Sequence, residues 1–421
     1  MAEFGNIREL PSGRYQARYF YRGTFYKAPS TFRTERLAAS WLTKEEELIT
    51  FDKWTPPQDR QAKKAKDEAR KRLGTVTVGQ WLETFHDGLR TRMRPIKEST
   101  LQSYMRAVNG RIMAPIPPGD SVHDITRLKN IALSDLTKDD VHRWWDALGR
   151  TYDTPTINQN AYKRLRAALA HAVERDLIDA NPVSVRDAAA RVKRKEKYLP
   201  EDWELKAILK EMPARYKVLT SLVLFHGLRI GEGIAVEHPH LQVIGEVPYA
   251  PRIIVTVEQN AQRLVETGPD GKRHTYLNWQ STKTDAGVRE VPIMASHTQL
   301  FFEHLEQFPP VTCTVRCDDG TKTVSPLTVT ENGKPVMDTS YRSRLTAAEK
   351  RAGVSTEIHP HCGRNWLITR LAEQGAHLKE IGKLLGQTDL ETITNIYMKV
   401  RAGRTDILMD KVDASLQQDE A

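Results

Sequence analysis

Two stretches more than a hundred residues apart carry residue types suited to attack on a phosphodiester. The first is His226-Gly227-Leu228-Arg229-Ile230-Gly231-Glu232. The second opens at His361-Cys362-Gly363-Arg364 and continues with helical apolar spacing to Tyr397. Together with Lys283 they supply two guanidiniums, an amine, an imidazole and a phenol. Guanidiniums present rigid forks of N–H donors that match phosphate oxygens. The imidazole and the amine can move protons, and the phenol can become covalently bound to phosphorus. That inventory needs no metal ion.

Each residue alone has a plainer reading. An arginine just after a helix end usually faces solvent, as does a lysine beside a turn, and a tyrosine near Ile393, Ile396 and Val400 is usually core. The elements around them give the set its order. Leu219, Leu222, Val223 and Leu224 predict an apolar helix that Gly227 ends in a left-handed cap. Residues 279–293 predict strand, turn, strand, with Asp285-Ala286-Gly287 at the turn and Lys283 just before it. Trp366, Leu367 and Leu371 continue a helix from His361 toward Gly375. Leu378, Ile381, Leu384 and Leu385 form the buried stripe of another helix, ended by Gly386.

Taken in order, Gly227-Leu228-Arg229-x-x-Glu232, Thr282-Lys283-Thr284 followed by Gly287-Val288-Arg289-Glu290-Val291-Pro292-Ile293, His361-x-x-Arg364 and the late Tyr397 resemble the tyrosine recombinase (phage integrase) family. The resemblance extends over essentially the whole chain. It implies that Arg229 and Arg364 clamp the scissile phosphate and that Glu232 supports the site. It further implies that a β-hairpin carries Lys283 to the leaving-group oxygen, that His361 assists proton transfer or holds the attacking oxyanion, and that Tyr397 is the nucleophile of a site-specific DNA recombinase. Gln387 stands where relatives usually carry histidine or tryptophan, and Tyr397 follows it by ten positions, one more than the family spacing implies. Gln387 can still hydrogen-bond a phosphate oxygen, but it carries no charge.

No cofactor is implied, because a phosphodiester is exchanged for a phosphotyrosyl ester of similar energy. The implied partners are double-stranded DNA, with core-type and arm-type attachment sites, and further copies of the chain in a homotetramer. A host DNA-bending protein and a directionality factor would be accessory partners. Two rival readings remain open: a type IB topoisomerase-like enzyme, and a sequence-specific DNA-binding protein whose catalytic fold has decayed, the latter motivated by Gln387 and the shifted spacing.

At 421 residues the chain should form about three domains. Residues 1–55 predict a small α+β domain, with a hairpin turning at Arg22-Gly23. A helix over 34–49 should follow, with Leu37, Trp41, Leu42 and Leu48 on or near one face. Alternation sets Arg14, Gln16 and Arg18 against Tyr15, Ala17 and Tyr19. A basic sheet face can enter a DNA groove, or it can simply be solvated; the resemblance places an arm-type DNA-binding domain here.

Residues 56–74 read as a charged linker. Residues 75–190 read as an all-α core-binding domain, with helices near 78–89, 99–112, 138–148 and 156–176, Ser99 as an N-cap and a loop at 115–119. A basic linker, 191–197, carries Arg191, Lys193, Arg194 and Lys195, which can simply be solvated or can contact a DNA backbone. Residues 198–410 predict a mixed α+β catalytic domain, mainly helical with a small antiparallel sheet, followed by a tail at 411–421. The stretch 311–329 reads as an extra hairpin with no assigned role.

Lysine and arginine exceed aspartate and glutamate by 63 to 54, a net charge of +9, which favours a polyanionic partner. No apolar run approaches the ~18 residues of a membrane span, and the first ten residues lack the apolar core of a signal peptide. A cytoplasmic location is therefore expected. Cys313, Cys317 and Cys362 form no paired framework, and Cys313 with Cys317 lacks the partners of a zinc site.

Overall fold

The computed structural model describes residues 4–64, 76–115, 122–190, 192, 198–245, 251–282, 285–387, 391, 393–394 and 409–410. The chain divides between Lys193 and Arg194 into two compact units, at the place where composition predicts a basic linker. Arg191, Lys193, Arg194 and Lys195 lie outside the described residues.

The first unit opens with a three-stranded antiparallel sheet of β1 (Asn6–Glu9), β2 (Tyr15–Tyr21) and β3 (Thr24–Lys27). Arg22 and Gly23 join β2 to β3 with φ of 45° and 81°, the left-handed pair that a tight hairpin demands. Ala17 and Tyr19 are buried beneath α1 (Glu35–Thr50), whose N-cap Thr34 accepts a hydrogen bond from the Leu37 N–H. The buried positions of α1 are Ala38, Leu42 and Glu45. Leu37, expected near that stripe, is exposed, because small Ala38 and not Leu37 lies over the sheet.

Buried Glu45 accepts from the Tyr19 hydroxyl at 2.7 Å and pairs with Arg60. Trp54 Nε1 donates to the same tyrosine oxygen at 2.7 Å. Contacts of this small core thus run past residue 55 to Arg60, into the stretch that composition marks as linker.

A separate core in the same unit is built by α2 (Val78–Gly88), α3 (Glu98–Val108), α4 (Val122–Arg127), α5 (Lys138–Thr151) and α6 (Pro155–Glu174). Trp81, Leu82, Val108, Trp144, Leu165 and Leu169 pack at its centre. Thr77 and Thr137 close capping boxes at the starts of α2 and α5. Ser99 is not an N-cap: Lys97 occupies that position without a side-chain bond, and Ser99 falls inside the first turn. The expected loop begins at Pro115; Pro117, Pro118 and Gly119 lie outside the described residues.

The second unit contains α7 (Asp202–Glu211), α8 (Ala214–Leu224), α9 (Ile230–Ile234), α10 (Ala295–Gln307), α11 (Asp338–Ala352), α12 (Cys362–Glu373) and α13 (Leu378–Leu385). Every residue of α8 from Val218 to Leu224 is buried, as a helix apolar on all sides must be. Beside these helices lie two sheets, ordered β4-β5-β8 and β10-β9-β7-β6.

Only Glu258 separates β5 (Arg252–Val257) from β6 (Gln259–Thr267). The two form one bent ribbon that pairs first with β8 (Arg289–Pro292) and then with β7 (Arg273–Ser281). The hairpin expected over 279–293 is therefore corrected: β7 and β8 flank Asp285-Ala286-Gly287 but sit in different sheets. The turn that folds β7 back onto β6 lies at 268–272, where Gly268 N donates to the Lys272 carbonyl at 2.8 Å. Alternation marks strands on both sides of 285–287, but the long ribbon upstream decides their partners. In the stretch 311–329, β9 (Cys313–Cys317) and β10 (Gly320–Val324) form a hairpin that extends the β6–β7 sheet, with β9 parallel to β7. The remaining strand, β4 (Leu241–Ile244), pairs with β5.

Candidate active site

Arg229 reaches its position because α8 stops abruptly. Gly227 adopts φ of 68°, and a Cβ on it would stand 2.6 Å from Leu385 Cδ2, so a side chain is barred by conformation and by space. Arg229 then serves as N-cap of α9 in extended geometry. Its backbone N–H donates to Glu232 Oε2 at 2.9 Å and its Nη1 to Glu232 Oε1 at 2.5 Å. About two fifths of the Arg229 side chain, 42%, remains exposed.

Glu232 is held from the other side by Arg289, whose Nη2 donates to Oε2 at 2.9 Å. Burial pushes the Glu232 carboxyl up, but the Arg289 charge and hydrogen bond, aided by Arg229, outweigh it and hold the group below the usual carboxylate range. Arg289 also donates through Nε to the Leu384 carbonyl at 2.8 Å and through Nη1 to the Gly287 carbonyl at 3.0 Å. Sequence reasoning overlooks this residue. The available signal is the alternation in β8, which puts Arg289 on the same buried face as Val291.

The second stretch meets the first through a glycine. A Cβ on Gly363 would lie 2.4 Å from both Leu224 Cα and the Val223 carbonyl oxygen, so the first turn of α12 rests on the backbone of α8. One residue later, Arg364 donates through Nη1 to the Gly227 carbonyl at 2.6 Å and through Nη2 to the Leu385 carbonyl at 2.9 Å. The same Nη2 reaches Gln387 Oε1 at 3.3 Å. These acceptors are all neutral. Burial and the neighbouring Arg229 push the Arg364 guanidinium down to about 9, so it stays charged at neutral pH as a cation only 2% exposed. Trp366 and Arg370 tie α12 to α7 by donating to Asp202 Oδ1 at 2.7 and 2.9 Å.

His361 is the exposed N-cap of α12. The histidine of the first stretch behaves differently. His226 Nε2 accepts from the Met294 N–H at 3.0 Å, which leaves Nδ1 to donate to the Ser221 carbonyl at 3.0 Å. Burial pushes its pKa down to about 4, so His226 is a neutral bridge inside the core.

Models of two families match the chain: phage integrase, N-terminal domain, over residues 3–50, and phage integrase family over residues 199–404. The chain belongs to the phage integrase family of tyrosine recombinases. It is an enzyme, a site-specific recombinase. The putative prophage phiRv2 integrase of Mycobacterium tuberculosis is 27% identical over 390 residues, spanning 92% of this chain and 89% of that protein. The integrase of Mycobacterium phage L5 is 26% identical, with 91% of each covered. The Tn1549 transposon integrase, solved with transposon right-end DNA, shares the fold at a TM-score of 0.57 and 18% identity, covering 79% of this chain and 99% of that one. A lambda integrase dimer bound to a core site matches at 0.52 and 17%, covering 93% and 94%.

Within this recombinase the folded chain gathers Arg229, Glu232, Arg289, Arg364 and Gln387 into one cluster. Lys283 and Tyr397 lie outside the described residues. Of the two sheet arginines in the first unit, Arg14 donates to the hydroxyl and carbonyl of Thr31, each at 2.6 Å. Arg18 is exposed and lies over the Phe25 ring at 5.7 Å. Among the described residues no helix is long and apolar enough to cross a membrane.

Proposed function

We propose that the chain is an integrase that breaks and rejoins double-stranded DNA through a 3′-phosphotyrosine on Tyr397, integrating or excising a phage or other mobile element. Arg229 and Arg364 hold the non-bridging oxygens of the scissile phosphate. Charge builds on those oxygens in the pentacoordinate transition state, where preplaced guanidiniums act most strongly. Lys283 protonates the departing 5′-oxygen, His361 assists proton transfer, and Gln387 adds a neutral hydrogen bond. Glu232, locked between Arg229 and Arg289, orients the exposed guanidinium.

The observation that carries this reading is Arg364 itself. It is a buried cation whose hydrogen-bond partners are neutral, beside the partly exposed Arg229. Arg229 and Arg289 share the single carboxylate of Glu232, so the three guanidiniums carry excess positive charge that an arriving phosphate offsets.

The sheet domain would bind arm-type sites, and the helical domain, the basic linker and the catalytic unit would bind core-type sites. Four copies would exchange four strands in the cytoplasm of the host, assisted by a DNA-bending protein and a directionality factor.

The test is a nicked suicide substrate built on the attachment sequence that flanks the gene. Covalent complex together with joined recombinant product supports the integrase. Relaxation alone indicates a topoisomerase, and a gel shift without adduct an inactive binder. Tyr397→Phe should bind DNA without forming adduct; adduct that persists, or maps to another tyrosine, refutes the nucleophile.

A further inference from the structure

The outward face of the amino-terminal sheet has a composition of its own. Register pairs Asn6 with Arg18 and Arg8 with Gln16 across β1 and β2, and Phe20 with Phe25 and Arg18 with Lys27 across β2 and β3. Directly paired residues and alternate residues share a face, so all of these point away from buried Ala17 and Tyr19. The face therefore carries three cations, two amides and two phenylalanines. Among the described residues, the carboxylate bordering the groove beside Arg18, Phe20 and Phe25 is Glu46 of α1.

Phe20 and Phe25 are 57% and 64% exposed, with ring centroids 4.8 Å apart. A cross-strand aromatic pair steadies a hairpin, but most of both rings still faces water. Neighbouring apolar side chains left exposed among cations fit a partner that is polyanionic and carries small apolar groups. The DNA major groove matches that description: it admits a β-ribbon and displays the thymine C5-methyl beside the base hydrogen-bonding edges. The ring spacing, set against roughly 3.4 Å per base step, lets the two rings meet adjacent base pairs.

We propose that Phe20 and Phe25 are specificity-determining residues that read thymine methyl groups in the major groove of the arm-type site, while Arg8, Arg18 and Lys27 engage phosphates and base edges around them. This rests on the reading of the sheet as a DNA-binding domain and adds which base feature it selects. The hairpin turn at Arg22-Gly23 follows directly on Phe20 and Tyr21, so the aromatic pair stands at one end of the sheet and the cations occupy the rest of the face.

The experiment uses the full chain and duplexes that it selects from a random DNA pool, remade with deoxyuridine in place of thymidine. This exchange removes only the methyl groups. For wild-type protein, affinity should fall about four-fold per contacted methyl, or about fifteen-fold for two. The Phe20→Ala, Phe25→Ala double variant should bind thymidine and deoxyuridine duplexes alike, so the coupling between protein and DNA changes is the readout. Phe20→Leu with Phe25→Leu, which keeps apolar surface on the hairpin, should restore part of the discrimination if the alanine variant is poorly folded.

Equal discrimination by wild type and both double variants overturns the aromatic readout. If Arg18→Ala and Lys27→Ala still weaken binding in that case, the DNA-binding reading of the sheet survives. If neither change affects selection of any duplex, that reading itself fails. Reduced self-association of the alanine variant with unchanged methyl discrimination would make the patch a contact between copies and would also overturn the proposal.

Discussion

Arg289 Nη2 donates to Glu232 Oε2 at 2.9 Å, and each of the two side chains is only 4% exposed. The pair joins β8 to the first turn of α9, so a buried charge on either side depends on the other. Glu232→Ala would leave Arg289 uncompensated, at a cost of about 3–5 kcal/mol. That corresponds to a melting temperature lower by about 6–20 °C for a domain of this size. The double change Glu232→Ala, Arg289→Leu should recover much of the stability but none of the strand transfer, because Arg229 loses its support in both. Thermal unfolding and recombination assays on the two proteins decide this; a double variant as unstable as the single one contradicts it.

Two buried groups in the catalytic unit respond to pH in opposite directions. His226 has its pKa pushed down to about 4 from an ordinary 6.5, so below about 6.5 the unfolded chain takes up a proton that the folded chain refuses. Its contribution to stability is present above pH 6.5 and declines as pH falls toward 4, by at most roughly 3 kcal/mol. Burial pushes the Glu349 carboxyl up to about 7 from an ordinary 4.5. Its contribution is present below pH 4.5 and is lost as pH rises through 7. Glu349→Gln should therefore stabilise the protein at pH 8 and change little at pH 4. Urea unfolding across that range measures both slopes, and equal effects at the two ends would refute the assignment.

If Lys283 protonates the leaving oxygen, Lys283→Ala should cleave ordinary DNA about 10²- to 10⁴-fold more slowly. A substrate with sulfur at the bridging 5′ position leaves as a thiolate, since thiols have a pKa near 8.5, and should restore most of that loss. Arg229→Ala and Arg364→Ala should gain little, because phosphoryl charge would still lack stabilisation. Cleavage rates on the two substrates provide the comparison. Equal rescue of all three variants, or none for the lysine variant, removes Lys283 from this role.

Gly363→Ala should disrupt the site from within the core. Its methyl would meet the backbone of α8 at 2.4 Å, and backbone yields far less readily than a side-chain tip. Overpacking of this kind costs roughly 1–3 kcal/mol or more. Because Arg364 is the next residue, activity should fall further than stability alone explains. Wild-type turnover at a temperature where the variant remains folded would contradict this.

Much of the site is readable in the chain because a few residues must satisfy chemistry and folding together. Gly227 has to end α8 in a left-handed conformation and admit Leu385, so it marks Arg229. Arg364 is marked by its spacing from His361 and by the apolar helix that follows, whereas the contact of Gly363 with α8 emerges only from the fold. The readable helices are those with a clean apolar stripe, such as α13. By contrast, β6 carries polar residues along most of its length and buries only Ala261 and Leu264. Its strand character comes from pairing with β7 over nine positions, which no local pattern announces. Arg289 escapes notice for a related reason: a cation on the inner face of a strand is intelligible only once Glu232, 57 residues earlier, is known to lie beside it.

The bent ribbon of β5 and β6 also bears on how this chain can vary. Pairing of Val257 with Arg289 on one side of Glu258, and of Gln259 with Ser281 on the other, holds both registers independently of what lies between Ser281 and Arg289. On the ribbon itself a single residue, Glu258, separates the two registers. A change of length between the two strands therefore leaves both registers in place as long as the Gly287 carbonyl keeps its bond to Arg289 Nη1 at 3.0 Å, which ties the end of the connection to the guanidinium cluster.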